Sequence, residues 1–180
     1  MNRSAWIRVL LVALTVVALD QLAKHAVRAS IVPGEERGVL PGVALVNTRN
    51  RGVAFGFLPG DPVAVTMVIV LALAALLVYF ALHTSRPLIW LPTGMLLGGA
   101  LGNIVDRLRA GYVTDFVKLP LDWPPFNLAD VSITLGVILL LLVIERPRGA
   151  PAQVHADRAA AHGEPPAPEA DSQAPDARRG

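Results

Sequence analysis

The amino-acid sequence predicts an all-α membrane bundle of four transmembrane helices, with a small β structure in its first long loop. Three observations predict it. Of 180 residues, 53% are hydrophobic and only 17% are Asp, Glu, Lys or Arg, whereas a soluble domain carries about a quarter charged residues. The apolar residues gather into four runs, each near the length that crosses a bilayer. Ionisable residues within those runs are few, and they fall toward one membrane face. Mean hydropathy is +0.52, so lipid is the expected solvent for most of the chain.

Span 1 runs from Ala5 to about Val27. Arg3 and Arg8 lead into the apolar run Val9–Leu19. A cleavable signal peptide would share the basic start and the apolar stretch, with Val27-x-Ala29 as its cleavage site. Asp20 and Lys24 fit that reading poorly, and three further spans make a first span the simpler account. Residues 28–62 form a polar loop punctuated by Pro33-Gly34, Pro41-Gly42 and Pro59-Gly60, each a turn signal. Val39-Leu40 and Val43–Val46 read as short strands between them. Phe55 and Phe57 are placed to dip into the lipid boundary.

Span 2, residues 63–82, contains no charge and reads as structural filler. Span 3 covers residues 88–106 and repeats glycine at Gly94, Gly98 and Gly102. Small residues every four positions let helix backbones approach closely; they also leave room for a substrate groove. Span 4, residues 126–145, ends at Glu145-Arg146-Pro147-Arg148. Residues 1–146 thus form the four-span domain. Residues 147–180 are rich in Ala and Pro with charges of both signs. Such a segment buries too little to order itself, and is expected to be a disordered tail.

The net charge of +2 and the absence of cysteine exclude several function classes. There are no disulfides, no Cys-ligated metals and no thiol nucleophile. No basic cluster interleaves with aromatics, so nucleic-acid binding has no support; the basic pI suits loops that touch anionic lipid heads. No HExxH, Walker or Rossmann fingerprint is present, and the four His are scattered at His25, His83, His155 and His162. The Lys/Arg distribution does not support a cytoplasmic N-terminus under the positive-inside rule. The aromatic belt is clearer: Trp6, Tyr79 and Trp90 fall at one interface, Tyr112 and Trp123 at the other.

Ionisable residues inside a membrane are costly and mark function. Asp20 and Lys24 are four apart and share a helix face; they are either a packing ion pair or a support for an active site. Asn103 and Asp106, and likewise Asn127 and Asp130, are three apart. The up-down path brings all of these to one membrane level, with Asp115 in the connection between spans 3 and 4. Asp115 and Asp130 are candidate partners in acid–base chemistry. Two neighbouring carboxylates repel, so one keeps a proton. The ionised one can then activate water while the other donates to a carbonyl. A blander reading has Asp130 capping span 4 or bonded to Asn127, with Asp115 an ordinary loop acid.

Five blocks in order carry a resemblance. They are Asp20-Gln21-x-x-Lys24; Asn47-Thr48-x-Asn50-x-Gly52-x-Ala54-Phe55; Gly98-Gly99-Ala100-Leu101-Gly102-Asn103-x-x-Asp106-Arg107; Gly111-x-Val113-x-Asp115-Phe116; and Phe126-Asn127-x-Ala129-Asp130. Together they resemble bacterial lipoprotein signal peptidases, the signal peptidase II family of membrane aspartic peptidases, over roughly residues 5–145. The resemblance implies Asp115 and Asp130 as the catalytic pair. It implies Asp20, Lys24, Asn50, Gly52, Gly99, Asn103, Asp106, Arg107, Asn127 and Ala129 as substrate-binding or supporting residues, with Asp106 anchoring Arg107 or Asn103, or simply packing.

The resemblance further implies an extracytoplasmic β-cradle, with residues 31–58 as its source, and an extracytoplasmic active face with both termini cytoplasmic. It implies a diacylglyceryl-modified prolipoprotein substrate cut just before the lipidated cysteine, in a phospholipid membrane, with no cofactor or metal. An oligomer is not implied. The tail has no counterpart in this pattern, and Arg49 and Arg51 make the first loop unusually basic, a feature that would favour anionic lipid or shift substrate preference. A small proton-coupled transporter and a non-enzymatic scaffold are the rival readings. The transporter needs charged residues toward the second face and an inverted repeat; the scaffold needs neither Asp115 nor Asp130.

Overall fold

The computed structural model describes residues 2–51, 62–121 and 123–145. Gly52, Phe55, Phe57, Pro59-Gly60 and the 147–180 segment lie outside the described residues. The chain forms four helices and a three-stranded antiparallel sheet. In order these are α1 (Arg3–Ser30), β1 (Glu36–Leu40), β2 (Val43–Asn50), α2 (Pro62–Leu82), α3 (Trp90–Ala110), β3 (Val113–Lys118) and α4 (Leu128–Glu145). By length and composition α1 and α4 are apolar enough to cross a membrane. In α2 the apolar stretch is Thr66–Leu82, and α3 carries Asp106, Arg107 and Arg109 in its last turns.

The helix ends follow local chemistry. Asn2 caps α1, its side chain accepting the Ala5 N–H at 3.3 Å. α3 runs past Asp106, where the sequence reading ended the span, because the charged residues that follow are good helix formers. It stops only at Gly111, whose φ of +76° supplies the left-handed cap and whose N–H reaches the Arg107 carbonyl at 2.9 Å. Arg86, between α2 and α3, donates to the Ile144 carbonyl at 3.0 Å and so satisfies an orphan acceptor at the end of α4.

α3 is the central helix and packs against the other three. Its glycines make this possible. A Cβ on Gly94 would lie 2.7 Å from Val12 Cβ, and one on Gly98 would lie 2.7 Å from the Ala13 carbonyl oxygen. The same face at Gly102 meets the Asp20 carboxylate, while Gly99 turns to the Ala129 carbonyl of α4. The sequence reading of these glycines as a close-packing face therefore holds. At one end of the bundle Trp6 meets Phe80 edge-on at 4.8 Å, within a cluster that also holds Tyr79 and Trp90.

The exterior of the bundle is apolar. Leu10, Leu11 and Leu14 of α1, Leu71 and Val78 of α2, and Leu141 and Leu142 of α4 are all exposed, while Asp20 and Lys24 are fully buried. A water-soluble protein distributes these residues the other way.

The sheet has the order β1-β2-β3. β1 and β2 form the hairpin that the Pro41-Gly42 signal predicts, with Gly42 at φ +78°. The third strand is not where the sequence reading drew the sheet, which confined it to residues 31–58. Val113–Lys118 pairs with β2, placing Asp115 opposite Thr48. β-branched and aromatic residues at four of its six positions favour a strand. Beyond it the chain turns back: Phe126 exchanges backbone hydrogen bonds with Val117 at 2.9 and 3.0 Å, and this fold-back carries Asn127 alongside Asp115.

Replacing Gly98 by Val should lower stability by about 1–3 kcal/mol, because the Ala13 carbonyl is backbone and cannot yield. Gly38→Ala, with nothing within 4 Å of the added Cβ, should change it by less than about 0.5 kcal/mol. Thermal unfolding in detergent measures both; equal melting temperatures for the two variants would mean that α1 and α3 do not meet as described.

Candidate active site

The first turn of α4 holds one carboxylate in place. Asn127 Oδ1 accepts the Asp130 N–H at 3.0 Å, and Asp130 Oδ2 accepts the Asn127 N–H at 3.1 Å. This reciprocal pair satisfies two orphan donors at the helix start, as a capping box does. The capping contacts of the blander sequence reading are thus present. Asp115, however, is no ordinary loop acid: it lies on β3 and is buried. Its Oδ1 accepts from Asn127 Nδ2 at 2.7 Å and its Oδ2 from Asn50 Nδ2 at 2.9 Å. Asn127 therefore links the two carboxylates, bonding Asp115 through its side chain and Asp130 through its backbone.

Behind Asp130 stands Asn103 of α3, whose Nδ2 donates to Asp130 Oδ1 at 2.9 Å. Asn103 Oδ1 accepts from the Lys24 ammonium at 2.9 Å. Lys24 also contacts Asp20 Oδ2 at 2.8 Å and Asp106 Oδ2 at 3.1 Å. Asp20 uses its other oxygen to accept the Ala129 N–H at 3.0 Å, filling another orphan donor of α4 from a helix over a hundred residues away. Gly99 lets α4 approach here, since a Cβ would lie 2.6 Å from the Ala129 carbonyl oxygen.

Asp106 accepts from Lys24 and from Gln21 Nε2 at 3.2 Å, and takes the Thr114 N–H at 3.1 Å. It thereby ties the start of β3 to α1 and α3. Arg107 donates to the Asn103 carbonyl at 3.3 Å. Of the residues proposed from sequence, only Gly52 falls outside the described chain. Gln21, which the sequence marks only as part of a motif block, belongs to the same network, as do Arg28 and Thr114, which carry no motif signal: Arg28 Nη1 donates to Thr114 Oγ1 at 3.0 Å. The available signal was spacing, since Arg28 stands one further helical step along the Asp20–Lys24 face.

Both carboxylates line one cavity of about 420 Å³. Asn50, Asn103 and Arg107 join them in its polar lining, and Ile69, Leu73 and Leu76 of α2, Leu96 and Ala100 of α3 and Ile133 of α4 belong to its apolar lining. Burial pushes the Asp115 carboxyl up from 3.8 to about 6. The hydrogen bond from Asn50 opposes this, the charge of Asp130 adds to it, and the bond from Asn127 opposes it again. Among the described residues no cluster of His, Cys, Asp or Glu has the geometry of a metal site.

Two carboxylates at the polar end of an apolar cavity, inside a helical frame with an apolar exterior, describe a membrane enzyme of the aspartic peptidase class. The peptidase family described as Signal peptidase (SPase) II matches residues 12–145. A lipoprotein signal peptidase of Moorella thermoacetica is 44% identical over 142 residues, covering 78% of this chain and 94% of the relative. One from Aquifex aeolicus is 35% identical over 149 residues, covering 79% and 87%. A solved bacterial membrane enzyme superposes with a TM-score of 0.70 at 30% identity, over 79% of this chain and 93% of that one. The chain belongs to the signal peptidase II family and is a protease; the transporter and scaffold readings lose their ground.

The raised Asp115 value has a definite sign. The folded protein holds this proton more tightly than the unfolded chain, so the contribution to stability is full below the ordinary carboxylate value and is lost as pH rises through about 6. Infrared titration of the Asp115 carboxyl should give a midpoint near 6, and Asp130→Asn should move it down by removing a like charge. An unmoved midpoint would show that the two groups do not sense each other.

Proposed function

We propose that the chain is a four-span peptidase that removes signal peptides from diacylglyceryl-modified prolipoproteins, cutting just before the lipidated cysteine, with Asp115 and Asp130 as its catalytic pair. The observation that carries this reading is the position of both carboxylates at the polar end of one apolar cavity, linked through Asn127. A lipid-attached peptide needs both parts at once: an apolar wall for acyl chains and a place where a peptide bond meets water and two carboxyls.

One carboxylate of the pair takes a proton from water as the water oxygen attacks the scissile carbonyl. The other, protonated, gives its proton to the carbonyl oxygen. The first then gives that proton to the leaving nitrogen while the second takes one back from a hydroxyl of the gem-diol, so the carbonyl re-forms, the C–N bond breaks and both groups return to their starting states. The pair titrates together, so the two protonation steps belong to both groups. Asn50, Asn103 and Asn127 hold the carboxylates, Arg107 stands where it can engage a substrate carbonyl, and Asp20, Lys24, Asp106, Gly99 and Ala129 support the frame.

All four helices span the membrane in this reading. The site faces the extracytoplasmic side, both termini are cytoplasmic, and phospholipid surrounds the bundle. Residues 1–146 form the peptidase domain and 147–180 a separate tail.

Purified enzyme should cleave a diacylglyceryl-modified prolipoprotein before its cysteine, and Asp115→Asn and Asp130→Asn should each lower the rate by at least about a thousandfold while the protein stays folded. Activity surviving in either folded variant would remove that residue from the pair. Since the chain has no cysteine, topology is directly readable: Arg37→Cys should react with an impermeant maleimide from outside the cell, and Ser85→Cys only after the membrane is opened. Labelling of both from one side would rule out the four-span arrangement.

A further inference from the structure

Building on Asp130 as half of the catalytic pair, we propose that Lys24 is a positioning residue that fixes which end of the Asn103 amide faces Asp130. A side-chain amide has a donor end and an acceptor end of nearly equal shape. Either can be turned toward a carboxyl group, and only surrounding partners decide. For Asn127 the decision is made by backbone: the Asp130 N–H can only donate, so it claims Asn127 Oδ1 at 3.0 Å and leaves Nδ2 for Asp115.

Among the described residues no backbone donor does this for Asn103. Its Oδ1 is claimed by the Lys24 ammonium at 2.9 Å, which leaves Nδ2 to donate to Asp130 Oδ1 at 2.9 Å. An ammonium has three donors and no acceptor. Asp20 and Asp106 take the other two, at 2.8 and 3.1 Å, so the group is held on three sides and fully buried. Asn127 Nδ2 also approaches Asn103 Oδ1, at 3.3 Å. That is beyond the usual range for a strong N–H···O bond, whereas the ammonium bond is charge-assisted and stronger. Lys24 therefore dominates the choice. Without it, Asn103 is free to present its carbonyl end to Asp130. It would then accept a hydrogen bond from a protonated Asp130 and withdraw the donor that holds the ionised form in place.

The test removes the donor while keeping the buried charge balanced. Lys24→Met combined with Asp20→Asn removes one positive and one negative group, and Asp20→Asn alone is the reference. With asparagine labelled in ¹⁵N, the Asn103 side-chain amide is followed directly by NMR in detergent. In the wild-type background, Asp130→Asn should shift the Asn103 amide signals. In the Lys24→Met/Asp20→Asn background the same change should shift them much less, because the N–H end no longer faces Asp130. Relative to the reference, kcat on a diacylglyceryl-modified prolipoprotein should fall about 10- to 100-fold with KM within about twofold.

Lys24→Gln, which keeps a neutral N–H donor, should restore the NMR response in part. It also serves alone if the double variant does not fold. Asn103 signals that answer to Asp130→Asn as strongly without Lys24 as with it, or a Gln variant that behaves as Met does, would overturn the positioning role. Retained cleavage in Asp115→Asn would instead remove the catalytic reading and leave the NMR result standing.

Discussion

The buried ammonium of Lys24 is the interaction on which the rest of the site depends. A charge taken fully out of water costs several kcal/mol unless it is paired and hydrogen-bonded. Lys24 meets that demand with two carboxylates and one amide oxygen, drawn from α1 and α3. Each partner then reaches further: Asp20 to the first turn of α4, Asp106 to the start of β3, Asn103 to Asp130. The elements that carry the two carboxylates are thus fixed to a single charge.

Such a cluster forms only if the helices come close, and here side-chain size decides. Gly94, Gly98 and Gly102 bring α3 against α1 at a distance where any Cβ would collide. At Gly102 the atom in the way would be the Asp20 carboxylate itself. Close packing and charge burial are therefore the same event seen from two sides. The helix that lies against α3 with least of this packing, α2, lends Ile69, Leu73 and Leu76 to the cavity wall.

The sheet contributes a second kind of precision. An aspartate on a loop would pay heavily in entropy to hold one geometry; on β3 its backbone is fixed by pairing with β2, and Asn50 at the end of β2 meets its carboxylate. The return of the chain through Phe126 makes Asn127 a neighbour of both Asp115 and Asp130. Two carboxylates on different elements are then oriented by one residue.

By itself the sequence determined the apolar frame, the glycine face of α3, the hairpin turn at Pro41-Gly42 and the set of polar residues that gather at one level. Each of these is written in local spacing: run length, a four-residue repeat, a Pro-Gly pair, and carboxylates and amides three or four apart on a helix. The order of five motif blocks carried the family as well. Only the tertiary structure decided that Val113–Lys118 is a strand, because its partner β2 lies more than sixty residues earlier. It also decided that Asp20 caps α4, that Gln21, Arg28 and Thr114 join the charge network, and which end of each asparagine faces a carboxylate. Those are contacts between elements far apart in the chain, and spacing along a sequence holds no record of them until the helices and strands are brought together.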